Sequence, residues 1–354
     1  MYNLQKVILS LFSCKNISIM KKIKIGLIEF TNCLPLNYSF ERQNLDDIEF
    51  VYGTPAKLNK LMDRGEIVAA SISSFEYLQN KNKYTLIKSG CISSDGECGS
   101  VLLFSNKKFE DLTGCKIGTP CDSVSSVAML KILLEEYGVN LNIPKQKWFS
   151  EMRSGSEDFS FVPNLRKSEL IKGSEISENR NTNLHPTYYK TEFVEHDYGK
   201  TPQQFFDSGF NAVLFIGDNA LKTNRIFPKP FFVYDLGTLW KEVTGLPAVF
   251  GVWAVKRDWA KKNPEKFEQL NNLIAKAIET GLGTYFNKVL NKASCNLGIE
   301  KDIIKKYLTS KIKYNFTQQH EKSVEIFNQL YGKLKQKEFS DLKKREMLED
   351  ALNF

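Results

Sequence analysis

Strand-like and helix-like segments alternate along the chain, and no other sequence feature limits the possible folds as strongly. Apolar runs at 22–30 and 211–217 predict buried strands. Between such runs the signals of helix ends recur: Thr54 is placed as an N-cap, Pro55 as a first helical residue and Gly65 as a stop. The alternation predicts an α/β protein with a mostly parallel sheet covered by helices.

The predicted strands and helices are too numerous for one short sheet and too irregular for an eightfold barrel. At 354 residues, the chain is long enough to bury two medium-sized cores. We therefore expect two α/β lobes. The first lobe is placed at 21–104 plus 249–354 and the second at 105–248. Residues 142–190 are polar and lack the alternation, and we interpret them as an insertion in the second lobe.

The net charge of +8, from 49 basic and 41 acidic residues, favours small anionic ligands over nucleic acid. The lysines are scattered, and no zinc-finger or recognition-helix pattern accompanies them. The longest apolar run, 246–255, is interrupted by Pro247 and is too short to cross a membrane. Neither a nucleic acid nor a membrane is therefore expected as a partner.

The chain has seven cysteines, an odd number, and no two of them have C-x-x-C spacing. This pattern argues against a disulfide framework and against a zinc site, and it favours a reducing compartment such as the cytoplasm. The three histidines, His185, His196 and His320, lie far from every motif considered below. No metal ion or other cofactor is expected.

Residues 1–20 contain a basic residue, a short apolar run and Cys14, a pattern that faintly resembles a lipoprotein signal. The apolar run is at the lower limit of length for an export signal. Met20 and the residues after it resemble a natural start immediately before the first strand. We interpret 1–20 as an N-terminal extension, with an export signal as the alternative.

Small polar residues stand at the ends of the predicted strands, where open α/β sheets bind their ligands. The set consists of Thr31, Asn32, Ser73, Ser100, Ser123, Ser125, Ser126, Gly217 and Asp218, of which Ser100 precedes its strand. Helix starts at such positions offer free backbone N–H groups, which bind carboxylate or phosphate without a basic side chain. Taken singly, most of these residues are explained as ordinary helix caps. Their recurrence at successive strands favours a site for a small anion.

Asn32 departs most clearly from the capping interpretation. It stands two residues before Leu34 and three before Pro35, so it is not a simple N-cap of a helix that begins at Pro35. Its amide can both donate and accept a hydrogen bond. The sequence has no P-loop, G-x-G-x-x-G, H-E-x-x-H or G-x-S-x-G motif, so phosphoryl transfer, nicotinamide chemistry, zinc proteolysis and serine-hydrolase chemistry lack support.

Five stretches together resemble the chorismate dehydratases, enzymes that open the futalosine route to menaquinone. They are 30–36, 53–67, 94–105, 213–221 and 233–258, of which the last, with D-L-G-x-x-W-K-x-x-T-G-L-P, is the most specific. The resemblance implies the two-lobed fold of type II periplasmic binding proteins, with the substrate in a central cleft. It also implies loss of water from chorismate to give 3-[(1-carboxyvinyl)oxy]benzoate, without a metal or redox cofactor.

The resemblance also assigns roles to site residues. The family's substrate-facing asparagine corresponds to Asn32, and its serine at the start of an S-V-L-L-F-S strand corresponds to Ser100, so both are expected to be catalytic. Its S-x-T-S run corresponds to Ser123, Ser125 and Ser126, which are expected to bind a substrate carboxylate. The other residues expected to contribute to substrate binding are Thr31, Ser73, Gly217 and Asp218.

The sequence offers no obvious protein base. Glu76 and Asp218 are carboxylates in matching loops, but each is better explained as a structural group. We therefore hypothesise that the enolpyruvyl carboxylate of the substrate takes the proton, with Asn32 and Ser100 holding it in position. Val124 stands where an arginine is common in the family, which leaves the helix N-terminus to bind the other carboxylate.

Two other functions share the fold class. A non-catalytic solute-binding lipoprotein, attached through Cys14, would bind a small organic anion without turnover. A ligand-sensing regulatory domain would need a DNA-binding module, and no helix-turn-helix segment precedes residue 21. The length of the motif match favours the dehydratase over both.

Overall fold

The computed structural model describes residues 22–139, 141, 191–226 and 231–352. The predicted extension at 1–20 and the predicted insertion at 142–190 lie outside the described residues. Within the described part, ten strands form two five-stranded sheets, and helices cover them. The α/β class that the alternation predicts is therefore confirmed.

The first sheet contains β1 (Ile23–Leu27), β2 (Ile48–Tyr52), β3 (Ala69–Ser73), β4 (Tyr84–Ser94) and β10 (Ala248–Lys256). Their order across the sheet is β2-β1-β3-β10-β4. Strand β1 is parallel to β2 and β3, whereas β10 is antiparallel to β3 and β4. Strand β3 is buried at four of its five residues and β1 at its last three, in agreement with their apolar sequences.

The second sheet contains β5 (Val101–Ser105), β6 (Lys116–Pro120), β7 (Glu192–His196), β8 (Ala212–Ile216) and β9 (Phe232–Asp235). Their order is β7-β6-β8-β5-β9. Strand β6 is parallel to β7 and β8, whereas β5 is antiparallel to β8 and β9. This sheet repeats the arrangement of the first, with one reversed strand next to an edge strand.

Both sheets are mixed, although four strands of each run in one direction. The reversed strands are β5 and β10, which follow the two crossings of the chain from one sheet to the other. Strand β5 pairs with β8 and β9, so residues 101–104 belong by hydrogen bonding to the second lobe. The predicted lobe boundary at 104/105 had placed these residues in the first lobe, because it cut through the apolar strand β5 and not through the loop before it. The other predicted lobe boundaries stay predictions.

The helices follow the strands in the expected alternation. They are α1 (Leu34–Phe40), α2 (Pro55–Arg64), α3 (Ser74–Gln79), α4 (Val124–Glu136), α5 (Pro202–Asp207), α6 (Gly217–Ile226), α7 (Leu236–Thr244), α8 (Arg257–Lys262), α9 (Pro264–Leu282), α10 (Phe286–Leu297), α11 (Lys301–Lys306) and α12 (Gln318–Leu352). Thr54 caps α2 through the N–H of Lys57, and Gly65 ends it with a φ of 72°. The predicted bounds of α2 are thus confirmed.

The carboxylate of Asp235 holds the two crossings together. It accepts hydrogen bonds from the backbone N–H groups of Cys98 at 3.0 Å and Gly99 at 2.6 Å, in the crossing from β4 to β5. It also caps α7, in the other crossing, through the N–H groups of Gly237 at 2.9 Å and Thr238 at 3.1 Å. Asp235 is the first residue of the D-L-G-x-x-W-K motif, so this motif has a structural function at the junction of the lobes.

The C-terminal helix α12 packs against elements of both lobes, namely α3 and β10 of the first and α4 of the second. Trp240 of α7 is fully buried and donates its Nε1–H to Ser323 of α12 at 2.9 Å. Tyr331 packs edge-on against Phe75 of α3, with ring centroids 4.9 Å apart. Helix α12 therefore ties the lobes together on the side of Trp240.

Candidate active site

A cleft of about 750 Å³ lies between the two sheets and is lined by elements of both. From the first lobe come residues after β1, the end of β3, and parts of α2 and α3. From the second lobe come Cys121–Ser126 after β6 and Ile216–Gly217 after β8. The lining thus gathers the carboxyl ends of parallel strands, the position where α/β sheets bind ligands.

Asn32 lies in the 3-10 turn Thr31–Cys33, between β1 and α1. It lines the cleft, it is 9% exposed, and its Oδ1 has no hydrogen-bond partner among the described residues. The N-cap of α1 is Cys33, without a side-chain cap, so Asn32 is not the cap of this helix. A buried amide oxygen without a partner is costly, and a donor on a bound ligand would remove that cost.

Ser100 lies immediately before β5 and also lines the cleft. Its Oγ accepts a hydrogen bond from the Tyr307 hydroxyl at 3.0 Å, and its carbonyl accepts one from the N–H of Gly217 at 2.7 Å. Ser100 is 3% exposed, and these two hydrogen bonds fix both its side chain and its backbone.

The run Ser123–Ser126 forms the start of α4 on the second-lobe wall. Ser123 is the N-cap: its Oγ accepts from the N–H of Ser126 at 3.4 Å and donates to Ser126 Oγ at 2.9 Å. Ser125 is buried, and its Oγ has no partner among the described residues. Capping therefore accounts for Ser123, whereas the Ser125 hydroxyl is available to a ligand at a helix start, where backbone N–H groups favour an anion.

The remaining predicted site residues divide into two groups. Ser73 and Gly217 line the cleft, and Ser73 also caps α3 through the N–H of Glu76 at 3.1 Å. Thr31 and Asp218 are not among the lining residues; instead, the Thr31 N–H donates to Asp218 Oδ1 at 3.0 Å. This bond joins the Asn32 turn to α6 of the second lobe. Burial raises the pKa of Asp218, and the bond from Thr31 opposes that shift.

Two carboxylates line the cleft, and each accepts a hydrogen bond from a tyrosine. Glu76 Oε1 accepts from Tyr84 at 3.2 Å and from Asn80 at 3.0 Å; burial raises the pKa of Glu76, against the effect of these bonds. Asp122 Oδ1 accepts from Tyr198 at 3.1 Å. Both carboxylates are thus engaged within the protein.

Several groups that face the cleft or lie near it were not singled out from the sequence. Asn59 of α2 lines the cleft, and its Oδ1 is buried without a partner among the described residues. Tyr307 supports Ser100 but belongs to a distant part of the chain, and Asp122 directly precedes the predicted site residue Ser123. The signal available for Asn59 was its place one helical turn after Pro55, the predicted first helical residue.

Two cysteines, Cys33 and Cys121, line the cleft, and neither His196 nor His320 does. Burial raises the pKa of the Cys33 thiol, which lines the cleft, to about 12, so the nucleophilic thiolate is not formed near neutral pH. His196 bonds the carbonyl of Leu214 at 3.0 Å, and His320 bonds Ser93 Oγ at 2.9 Å. Among the described residues, no group of three His, Cys, Asp or Glu could hold a metal ion.

The two-lobed α/β architecture with a cleft between the sheets is that of the periplasmic-binding-protein-like class. Protein AF1704 from Archaeoglobus fulgidus is similar in structure, with a TM-score of 0.61 at 16% identity, over 87% of this chain and 96% of that chain. The periplasmic aliphatic sulphonate binding protein SsuA from Escherichia coli has a TM-score of 0.56 at 12% identity, over 88% of this chain and 92% of that chain. The predicted fold is therefore confirmed.

Sequence comparison narrows the class to a family. The model of a menaquinone biosynthesis family matches residues 23–159 and 183–333, and the chain belongs to this family. It is also similar to a chorismate dehydratase from Thermus thermophilus, with 26% identity over 303 residues, which cover 82% of this chain and 88% of that protein. No helix among the described residues is long and apolar enough to span a membrane.

Proposed function

We propose that this protein is a chorismate dehydratase, a hydro-lyase of menaquinone biosynthesis by the futalosine pathway. The observation that carries the proposal is the set of buried, unpaired oxygens in the cleft of a chain that belongs to the menaquinone biosynthesis family. Asn32 and Asn59 present such atoms from the first lobe, and Ser125 presents one from the second. The amide oxygens of Asn32 and Asn59 accept hydrogen bonds and the Ser125 hydroxyl can also donate one, so a ligand that carries a hydroxyl group as well as carboxylates suits this distribution.

The cleft would bind the dianion chorismate with neutral donors. Lys83 is the one basic side chain among the described residues of the lining, and its ammonium group pairs with Asp63 at 2.8 Å. Backbone N–H groups at the start of α4 and the Ser125 hydroxyl are assigned to one carboxylate. Ser73 and Gly217 complete the wall at the ends of β3 and β8.

The proposed reaction breaks the ring C3–H bond and the bond from C4 to its hydroxyl. C3 is vinylogous to the ring carboxylate, so the electron pair left by the proton spreads onto that carboxylate, and donors aimed at it stabilise the developing charge. The hydroxyl group then leaves and, with the abstracted proton, forms one molecule of water. The ring becomes aromatic, which drives this second step.

The base in this proposal is the enolpyruvyl carboxylate of chorismate itself, which is attached through oxygen to C3. Asn32 and Ser100 are assigned to hold this carboxylate, since both line the cleft. The two protein carboxylates of the lining, Glu76 and Asp122, are poor candidates because each already accepts a tyrosine hydrogen bond. A Glu76→Gln variant that binds chorismate and does not turn it over would contradict this assignment.

We further place the enzyme in the cytoplasm. Six cysteines among the described residues are free thiols, and four of them are buried. Free thiols are typical of a reducing compartment.

The direct test is to incubate the purified full chain with chorismate and to follow the mixture by liquid chromatography with mass detection. The expected product is aromatic and lighter than chorismate by one water, and it should form about 10²- to 10³-fold more slowly in Asn32→Ala and Ser100→Ala. Saturable chorismate binding without any product would instead favour a solute-binding protein. A folded sample that neither binds nor converts chorismate would overturn the assignment of the ligand.

A further inference from the structure

Two buried tyrosines on one short segment donate hydrogen bonds to Asn32 and Ser100. We call residues 307–314 the tyrosine segment. It follows α11 and begins with a π turn, Tyr307–Lys311, in which the N–H of Ile312 donates to the carbonyl of Tyr307 at 3.0 Å. Single π turns are frequent at functional sites, because the extra residue changes which side chains face a given direction.

Tyr307 sets the hydrogen bonding of the Ser100 hydroxyl. Its OH donates to Ser100 Oγ at 3.0 Å, and the two residues are 2% and 3% exposed. Burial raises the pKa of Tyr307 above its ordinary value of 10, so the phenol keeps its proton. Because Ser100 Oγ accepts this hydrogen bond, its own O–H must donate to another acceptor, and the cleft that Ser100 lines offers the place for one.

Tyr314 holds the backbone of the Asn32 turn. Its OH donates to the carbonyl oxygen of Asn32 at 3.0 Å, inside the protein. Its own carbonyl accepts from the N–H of Cys91 at 2.7 Å, and the neighbouring Lys313 exchanges two backbone hydrogen bonds with Ser93. The tyrosine segment is therefore fixed along the edge of β4 at the point from which it reaches Asn32.

The segment is also anchored to the crossing that carries Ser100. The Lys311 ammonium group pairs with Glu97 at 2.5 Å, and a Cβ atom at Gly99 would approach the Lys311 side chain to 3.0 Å. Glu97 and Gly99 are close in sequence to Ser100. Lys311 therefore packs on the strand entry while Tyr307 bonds the serine hydroxyl.

We propose that Tyr307 and Tyr314 are positioning residues for the dehydration: Tyr307 directs the Ser100 hydroxyl toward the substrate, and Tyr314 fixes the turn that presents Asn32. This proposal rests on the proposed function of the cleft. Neither tyrosine is among the lining residues, so each acts through its partner and not by contact with the substrate.

Double-mutant cycles on the full chain test whether Tyr307 acts through Ser100 and Tyr314 through Asn32. The variants are Tyr307→Phe and Tyr314→Phe, each made alone, with Ser100→Ala and with Asn32→Ala. The matched control is Tyr331→Phe, because Tyr331 is also buried but its OH has no partner among the described residues. Rates of chorismate conversion give kcat and KM, and thermal melting checks that each variant is folded.

We expect Tyr307→Phe to lower kcat about tenfold, as for the loss of one hydrogen bond, with KM changed less than about twofold. In the Ser100→Ala background the same change should have almost no effect, while in the Asn32→Ala background it should keep its full effect. Tyr314→Phe should show the opposite pattern. The control should match the unmodified chain in kcat.

An equal loss of kcat in all backgrounds, or no loss at all, would overturn the positioning proposal and leave the dehydratase assignment intact. An unmodified chain that forms no product would overturn the proposed function itself, and the positioning proposal with it. A loss confined to the melting temperature, with kcat kept, would assign the tyrosines to stability only.

Discussion

Two sides of the cleft are held in different ways. We call the side with Asn32 and Ser100 the first wall, and the side with Ser123–Ser126 the second wall. On the first wall, the Asn32 turn accepts a hydrogen bond from Tyr314 and donates one to Asp218, and Ser100 accepts one from Tyr307. On the second wall, the hydrogen bonds of the Ser123–Ser126 run join residues of that run to one another or to the next turn of α4. The first wall is fixed by contacts that are distant in sequence, and the second by a helix start.

This difference separates two tasks in the proposed reaction. Groups that hold the carboxylate acting as the base must be aligned before the transition state forms, because realignment during the reaction would raise the barrier. The ring carboxylate is already charged in the ground state, so a group that binds it acts in the ground state as well and should change KM more than kcat. We therefore expect the first wall to govern kcat and the second to govern KM.

The largest expected effect is that of Asn32→Ala. Loss of the amide should lower kcat about 10²- to 10³-fold, the range for removal of one preorganised donor. The melting temperature should not fall, because Oδ1 has no partner among the described residues. Steady-state kinetics and thermal melting measure both. The control is Asn82→Ala, at an exposed position of the same lining. A change in KM without a change in kcat for Asn32→Ala would show that Asn32 only binds the substrate, as the second wall is expected to do.

The next effect concerns Asp235, which fixes the approach to Ser100. Asp235→Asn removes one of two acceptor oxygens that serve four backbone N–H groups, and the free energy of unfolding should fall by about 2 kcal/mol. Urea denaturation measures this loss. Asp63→Asn, which breaks an exposed ion pair with Lys83, should cost less than about 1 kcal/mol. Equal losses would show that Asp235 has no special role at the junction.

A smaller effect distinguishes two serines of the second wall. Ser125→Ala should raise KM about three- to tenfold with kcat unchanged, as for the loss of one neutral hydrogen bond. Ser123→Ala removes the N-cap and should cost about 1 kcal/mol of stability, with a smaller rise in KM. Steady-state kinetics and thermal melting of both variants check that KM changes more in Ser125→Ala and stability more in Ser123→Ala. A fall in kcat for Ser125→Ala would contradict the expectation that the second wall governs KM.

The smallest effect is expected from Val124→Arg. Val124 is 45% exposed in the first turn of α4. An arginine there would pair with the substrate carboxylate while still exposed to solvent, so it should lower KM by less than about fivefold. The gain should shrink at high salt. Val124→Met is the uncharged control. A higher KM for the arginine variant would mean that the carboxylate does not bind at this helix start.

The sequence predicted the features whose signals are local. The strand ends and the caps at Thr54, Ser73 and Ser123 could be read because each depends on a few neighbouring residues. Strand β4 was not predicted, since its alternation is interrupted near Gly90 and its pairing with β10 shifts register twice. Gly90 is required there by packing: a Cβ atom would lie 2.9 Å from atoms of Ile274 and Trp253.

The support of the first wall could not be predicted in this way. Tyr307 and Ser100 are 207 residues apart, and Tyr314 and Asn32 are 282 residues apart. The local sequence around a tyrosine in an amphipathic C-terminal region is the same whether the side chain only packs in the core or also donates a hydrogen bond to a distant serine. Strands β7 and β9 were missed for a related reason, since both are short edge strands with exposed positions.

The π turn gives the tyrosine segment a sensitivity to chain length. A π turn contains one residue more than an α-helical turn of the same hydrogen-bonded ladder. Deleting one residue within Tyr307–Lys311 would restore α-helical spacing and rotate the chain that follows by about 100° relative to α11. Tyr314 would then leave the Asn32 carbonyl although no side chain of the site had been replaced. In this part of the protein, a change in the number of residues would damage the site more than most changes in their identity.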